Sequence, residues 1–382
     1  MASAELPSFF ASSPPSSPRL PVELLAQIVD EAAGDRDELD HTILRHLCLS
    51  SKSILPFARQ ALYREISVRF DDTEGPSDNN LLFTDLTDEL LKAECQKLKI
   101  DAEALEEALD YGSHLARLVV GFTVIFNNGA QGAVHLTRYL IDSILGSCPN
   151  IISFCSSPCW HTEAEAVVDA LMSTRRNLSE LELDCTSNLP KLLAHLHNLR
   201  RLHLRRPPNG SDFTAMKVPS FTFRLRSLCF EDSFAYIPAN LSQELLRSST
   251  SSLRYLDFDP PSKADPLQLP QLPALTHLKL QSCGDVSGEL AQVIPRYPAL
   301  QVLHLDFPPS PAQLHLLPPQ LPSVGVVRVY KAEKLAPLLR DSSRGALRQV
   351  VVGKGGDEDW EELGEEHGWS VERFREKVVF AR

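Results

Sequence analysis

The stretch "CSSPCWH" brings Cys155, Cys159 and His161 within seven residues, a combination able to hold zinc. A structural zinc takes four ligands, usually as two close pairs, and no second pair stands nearby. Cys155 is therefore read as a strand residue, and no metal site is assigned. "GKGG" at 353–356 lacks the Ser or Thr that must follow the lysine of a phosphate-binding loop, so it is read as a turn. The chain carries no G-x-S-x-G elbow, no H-E-x-x-H and no paired-carboxylate signature. No catalytic residue and no cofactor is assigned, and the chain is expected not to be an enzyme.

The totals narrow the partners. At 382 residues with 43% apolar content, the chain is long enough for two modules or one elongated array. A net charge of −12 disfavours nucleic acid, whose phosphates are bound by Lys and Arg. No apolar run reaches the roughly 20 residues of a membrane span. The opening "MASAELPSFFASSPPSSPRL" has no basic, then apolar, order, so it is not read as a secretory signal. With eight cysteines and no export signal, reduced thiols in the cytoplasm and/or nucleus are expected.

What must position any binding residues is a repeat. The template L-x-x-L-x-L, with any apolar residue accepted, occurs at Leu115-Leu118-Val120, Leu178-Leu181-Leu183, Leu199-Leu202-Leu204, Leu225-Leu228-Phe230 and Leu253-Leu256-Phe258. It continues at Leu275-Leu278-Leu280, Leu300-Leu303-Leu305, Val324-Val327-Val329 and Leu347-Val350-Val352, with a degraded copy at Ile151. From Leu178 the anchors lie 21, 26, 28, 22, 25, 24 and 23 residues apart, inside the roughly 20–29 residue period of leucine-rich repeats. The last two apolar positions of each copy are two apart and share one face of a short strand. Stacked copies then form a solenoid with parallel strands and helical or irregular crossovers. Crossover helices are expected over 161–176, 240–249, 284–297 and 331–343, and a tight, Pro-rich connection over 308–322. Cys185 and Cys283, just past two strands, suit the cysteine-containing intracellular form of the repeat.

Strand residues between the ladder positions should line the concave face and meet a target. The candidates are Glu180, Glu182, Asp184, Arg201, His203, Arg205, Tyr255, Asp257, His277, Lys279, His304, Arg328 and Tyr330. They place an acidic strip beside a basic one, with two tyrosines as anchors.

Ahead of the repeats, residues 20–65 read as three short helices: "LPVELLAQIVDEAAG", "DELDHTILRHLCLSS" and "KSILPFARQALYREI". The second is expected to bury Leu39, Ile43 and Leu47, with Leu44 a further option. Leu20, Pro21, Glu23, Leu24, Leu25 and Ile28, then Ser51-Lys52, then Leu62-Tyr63, follow the Leu-Pro-x-Glu-Leu-Leu-x-x-Ile, Ser-[Lys/Arg] and Leu-[Trp/Tyr] pattern of an F-box. The chain thus resembles fungal-type F-box proteins with leucine-rich repeats. That resemblance implies a substrate receptor of a Skp–cullin–F-box ubiquitin ligase, docked on a Skp-type adaptor, and through it on a cullin–RING ligase, through Leu20, Pro21, Leu24, Leu25, Ile28, Leu47, Leu62 and Tyr63. The repeat face would hold a target protein. The alternative is a repeat scaffold or regulator with no ligase link.

The expected organisation is a disordered tail (1–19), the F-box (20–65), the solenoid (66–356, with irregular first turns over 66–160) and a C-terminal cap (357–382). Trp360, Trp369, Phe374, Val378 and Phe380 argue that the cap is folded, because a plain charge run lacks aromatics. Amphipathic helices are expected over 86–115 and 132–150.

Overall fold

The computed structural model describes residues 21–33, 41–62, 64–70, 116–126, 134–156, 161–174, 177–205, 217–231, 237–258, 270–280, 297–315, 317–327, 329, 332–340, 345–353, 360–374 and 377–382. The tail, the helix expected over 86–115, most of 284–297 and Cys159 lie outside them. The chain divides into two compact units, Met1–Glu65 and Ile66–Arg382. Among the described residues, no helix is long and apolar enough to cross a membrane.

The first unit contains α1 (Val22–Ala33), α2 (His41–Ser50) and α3 (Leu55–Leu62). The Pro21 carbonyl accepts the Leu24 and Leu25 N–H groups at 3.1 and 3.2 Å, which starts α1. Its small core is Val29, Leu44 and Ala61, with Leu47, Ile54 and Phe57 packed against it. Leu44, the further option, is fully buried and Leu47 packs on the core as expected, whereas Ile43 is exposed and Leu39 lies outside the described residues. One residue is a 100° rotation on a helix, and both sides of α2 carry a leucine or isoleucine, so periodicity alone leaves the choice open.

The second unit is α/β. One sheet, mostly parallel, runs in chain order through β1 (Glu65–Phe70), β2 (Gly121–Phe126), β3 (Ser153–Ser156), β4 (Glu180–Asp184), β5 (Arg201–Arg205), β6 (Ser227–Phe230) and β7 (Tyr255–Phe258). It goes on through β8 (His277–Leu280), β9 (Val302–Leu305), β10 (Ser323–Val326) and β11 (Gln349–Val352). Between strands lie α4 (Val134–Ser147), α5 (His161–Thr174), α6 (Leu189–His195), α7 (Ala239–Ser248), α8 (Pro311–Leu314) and α9 (Ala336–Arg340). The short α6 was not expected, although Leu189, Leu192 and Leu193 are spaced to face the core and are buried there.

The ladder is direct. Leu181, Leu202, Leu228, Leu256, Leu278, Leu303, Val324 and Val350 are successive register partners, and all are buried. A second regularity fixes the frame. The carbonyl just after each anchor accepts N–H groups from the same place in the next copy: Ser179 from Arg200 and Arg201, Arg200 from Arg226 and Ser227, Arg226 from Arg254 and Tyr255.

This hydrogen-bond clamp corrects two expected triplets. In the first copy the acceptor is Val120, and the buried side chains are Val119, Phe122 and Val124 rather than Leu118 and Val120; Leu115 lies outside the described residues. In the copy near 324 the frame is Leu321-Val324-Val326, with Val324 opposite Leu303 and Val326 opposite Leu305. Val326 is therefore buried and not outward as expected. Both stretches, "LARLVVGFTV" and "LPSVGVVRV", hold overlapping copies of the template, and only stacking on a neighbour selects one. Pro322 has no N–H, so Gln301 receives a single donor there, Ser323 at 3.3 Å.

The end of the sheet is antiparallel. After α10 (Trp360–Glu366), β12 (Ser370–Phe374) and β13 (Lys377–Ala381) form a hairpin, and β13 pairs with β11 with Val350 opposite Phe380. Trp360 meets Phe380 edge to face at 6.2 Å, and Trp369 Nε1 donates to the Leu339 carbonyl at 3.2 Å. Gly368, at φ 71°, ends α10 in the left-handed region that favours glycine.

Candidate functional site

Two surfaces stand out, one on each unit. On α1 the apolar residues fall in two stripes, each of two residues four positions apart. Leu25, expected to meet the adaptor, is instead buried with Val29 on the side that faces the unit's own core, whereas Leu24 and Ile28, one position earlier on the helix, are 45% and 44% exposed. Ile43 and Leu49 on α2 are exposed too. Four of the five large apolar side chains exposed among the described residues thus lie on α1 and α2. A helix that buries one side in its own bundle needs one apolar stripe, so a second, solvent-facing stripe marks a surface suited to a partner. Of the other residues singled out here, Pro21 is exposed, Leu47 is half-buried and Leu62 ends α3. Leu20 and Tyr63 lie outside the described residues.

On the second unit, alternation along the strands turns every second residue away from the core. Register places them in rows. One row runs Glu180, Arg201, Ser227, Tyr255, His277 and Val302; the next runs Glu182, His203, Cys229, Asp257, Lys279, His304 and Gly325. Asp184, Arg205 and Asp257, expected to be offered to a target, are buried, because ion pairs with adjacent strands fold them into the surface. Arg328 and Tyr330 lie outside the described residues, past the end of β10.

Between β4 and the segment after β6 the charges satisfy one another. Arg201 lies 3.5 Å from Glu180, and Arg205 lies 2.9 Å from Glu182 and 3.5 Å from Asp184. His203 bridges Glu182 at 3.4 Å and Glu231 at 3.3 Å. Burial would push the Glu182 carboxyl up, but the His203 hydrogen bond, the His203 and Arg205 charges and a Cys155 hydrogen bond together hold it below its ordinary range.

From β7 to β10 the surface is different. Lys279 Nζ donates to Asp257 at 2.8 Å, and the Cys229 thiol donates to the same carboxylate oxygen at 3.4 Å. Burial, and then Asp257, push both the Cys229 thiol and the Tyr255 phenol well above their ordinary values, so neither ionises near neutral pH. The Tyr255 and His277 rings are tilted at 6.3 Å, and His277 Nδ1 bonds Thr276 Oγ1 at 2.9 Å. The His304 ring lies over Gly325, where any Cβ would collide with it. Sequence reasoning missed Gly325 because of the shifted frame; Pro322 before a Ser-Val-Gly-Val strand was the available signal.

Cys155 lies on β3 as expected, and His161 begins α5. Among the described residues, no group of three or more His, Cys, Asp or Glu could hold a metal ion. Cys185 is fully buried, and burial followed by Asp184 raises its thiol to about 12, which makes it a packing residue. No protein-family model matches the chain, and no curated protein matches it.

Proposed function

We propose that the chain is a non-catalytic receptor: an F-box unit that docks on a Skp-type adaptor of a cullin–RING ubiquitin ligase, joined to a leucine-rich-repeat stack that presents a target protein. The carrying observation is the second apolar stripe of α1, Leu24 and Ile28, left exposed beside a small core that holds Leu25, Val29, Leu44, Ala58 and Ala61 among the described residues. Covering such side chains contributes up to roughly 1.5–3 kcal/mol each before the cost of association. The in-register Leu ladder supports the repeat half of the reading. Its outward face is a rigid array of side chains, of the kind that repeat stacks use for binding.

Purification of the full chain from cells, followed by identification of its partners, tests the reading. An adaptor and a cullin among the partners is the expected result. A chain that binds a target with neither is a plain repeat scaffold.

A further inference from the structure

The outward face changes character along the stack. From β4 to just past β6, Glu180, Glu182, Asp184 and Glu231 outnumber Arg201 and Arg205, and these cations are spent on them. From β7 to β9 the make-up differs. On the outward rows of these strands one carboxylate, Asp257, stands with an ammonium and two imidazoles: Lys279 and His277 on β8, and His304 on β9.

The geometry concentrates these groups. Lys279 and His304 are register partners on adjacent strands, whose backbones run about 4.8 Å apart. His277 precedes Lys279 by two residues and shares its face. Asp257 fixes the ammonium at 2.8 Å from one side, and the three-proton head keeps further donors for a second acceptor. On the other side β10 offers Ser323 and Gly325, so no side chain at 325 stands between His304 and solvent. Half-buried Val302 and Tyr255 border the group.

We propose that this part of the sheet face accepts a carboxylate side chain from an acidic, partly apolar segment of the target, held between Lys279 and His304 with His277 alongside. The proposal rests on the reading of the sheet face as the target-binding surface, and it names the target's chemistry. A carboxylate fits better than a phosphate. No outward residue of β7 to β10 is an arginine, and the guanidinium fork is the group that matches a phosphate's paired oxygens. In a chain of net charge −12, a group with a spare ammonium donor and two imidazoles favours where an acidic segment settles.

The surroundings of His304 agree. Burial first, then the charges of Lys279, His277 and Lys377, hold its imidazole below the ordinary 6.5, and Asp257 opposes them least strongly. The buried Asp306 follows at the end of β9, and β10 brings no titratable group at 323 or 325. The empty site therefore repels a proton that a docked carboxylate would welcome. Docking takes up that proton, so affinity rises as pH falls from the raised value of the docked imidazole towards the free one below 6.5, and levels off beneath it.

Fluorescence anisotropy of the full chain with labelled peptides of Glu-Leu-Gly repeats tests this, with matched peptides carrying Gln or phosphoserine in place of Glu. The Glu peptide is expected to bind, roughly tenfold tighter near pH 6 than near pH 8. The Gln peptide should not bind, and the phosphoserine peptide should bind more weakly than the Glu peptide. Lys279→Met should weaken binding; because it also strips Asp257 of its partner, the double variant His277→Gln/His304→Gln is the cleaner probe. That variant keeps the Lys279–Asp257 pair and should lose the pH dependence.

Equal binding of the Gln peptide, preference for phosphoserine, or an unchanged pH profile in the double variant would overturn the proposal. If a captured target is lost on Arg201→Glu but retained by the double variant, this site is refuted while the receptor reading stands. Failure to recover the adaptor refutes the ligase reading, and the peptide titration still decides the site.

Discussion

Gly325 on β10 lies beside His304 on β9, and the imidazole occupies the space a Cβ would take. The strand tolerates glycine, which packs poorly in sheets, because its neighbour fills the place. Gly325→Val should force the ring aside and destabilise the second unit by about 1–3 kcal/mol. A double-mutant cycle with His304→Ala, read by urea unfolding, should recover much of that loss, since the two changes share one contact.

The peptide groups at Leu225 are served by serines from the next crossover. The fully buried Ser249 accepts the Leu225 N–H at 3.0 Å, and Ser252 donates to the Leu225 carbonyl at 2.7 Å. Ser249→Ala leaves a buried N–H without its partner, and a loss of roughly 1–3 kcal/mol is expected. Ser249→Thr, which keeps the hydroxyl, should lose less if the extra methyl is accommodated. Chemical denaturation of the two variants side by side checks it.

Acid should weaken the second unit in two steps. His304 is held below its ordinary 6.5 by burial and nearby cations, so below that pH the unfolded chain binds the proton more readily and stability falls. Glu182 is held below its ordinary 4.5, so its contribution is complete above that value and is lost as pH drops through the folded value. In urea midpoints measured against pH, His304→Gln should flatten the upper step and Glu182→Gln the lower.

The C-terminal hairpin should be required for a stable stack. Trp360, almost fully buried against Phe380, closes the core beside β11. Trp360→Ala is expected to cost about 3–5 kcal/mol. Ending the chain at Gly353 uncovers the β11 edge, and light scattering should then report aggregation.

How far the sequence could be read follows from what each signal depends on. The copies from Leu181 to Leu303, and the one at Val350, were legible because two apolar residues two apart, repeated at a near-constant interval, leave few arrangements. The frames at Val120 and Val324 were not, since overlapping triplets differ only in which one meets a neighbouring strand, and that is a long-range fact. Trp360 and Trp369 announced a folded cap, yet nothing local showed that it would add antiparallel strands. On the outward face, the charges at Glu182 and Arg205 were visible, but their mutual pairing depends on register. In the first unit, Leu24 and Leu25 look alike in sequence. Packing against α2 and α3 is what separates the buried stripe from the exposed one.

Docking through α1 is decided by calorimetric titration of the full chain with a purified Skp-type adaptor, comparing the native chain with Leu24→Asp/Ile28→Asp. Both side chains are substantially exposed, so the substitutions should leave the thermal unfolding of the chain nearly unchanged. Measurable binding by the native chain is expected, with a loss of more than roughly a hundredfold in the double variant. Equal affinity of the two chains, or no heat of binding from the native chain, would contradict it.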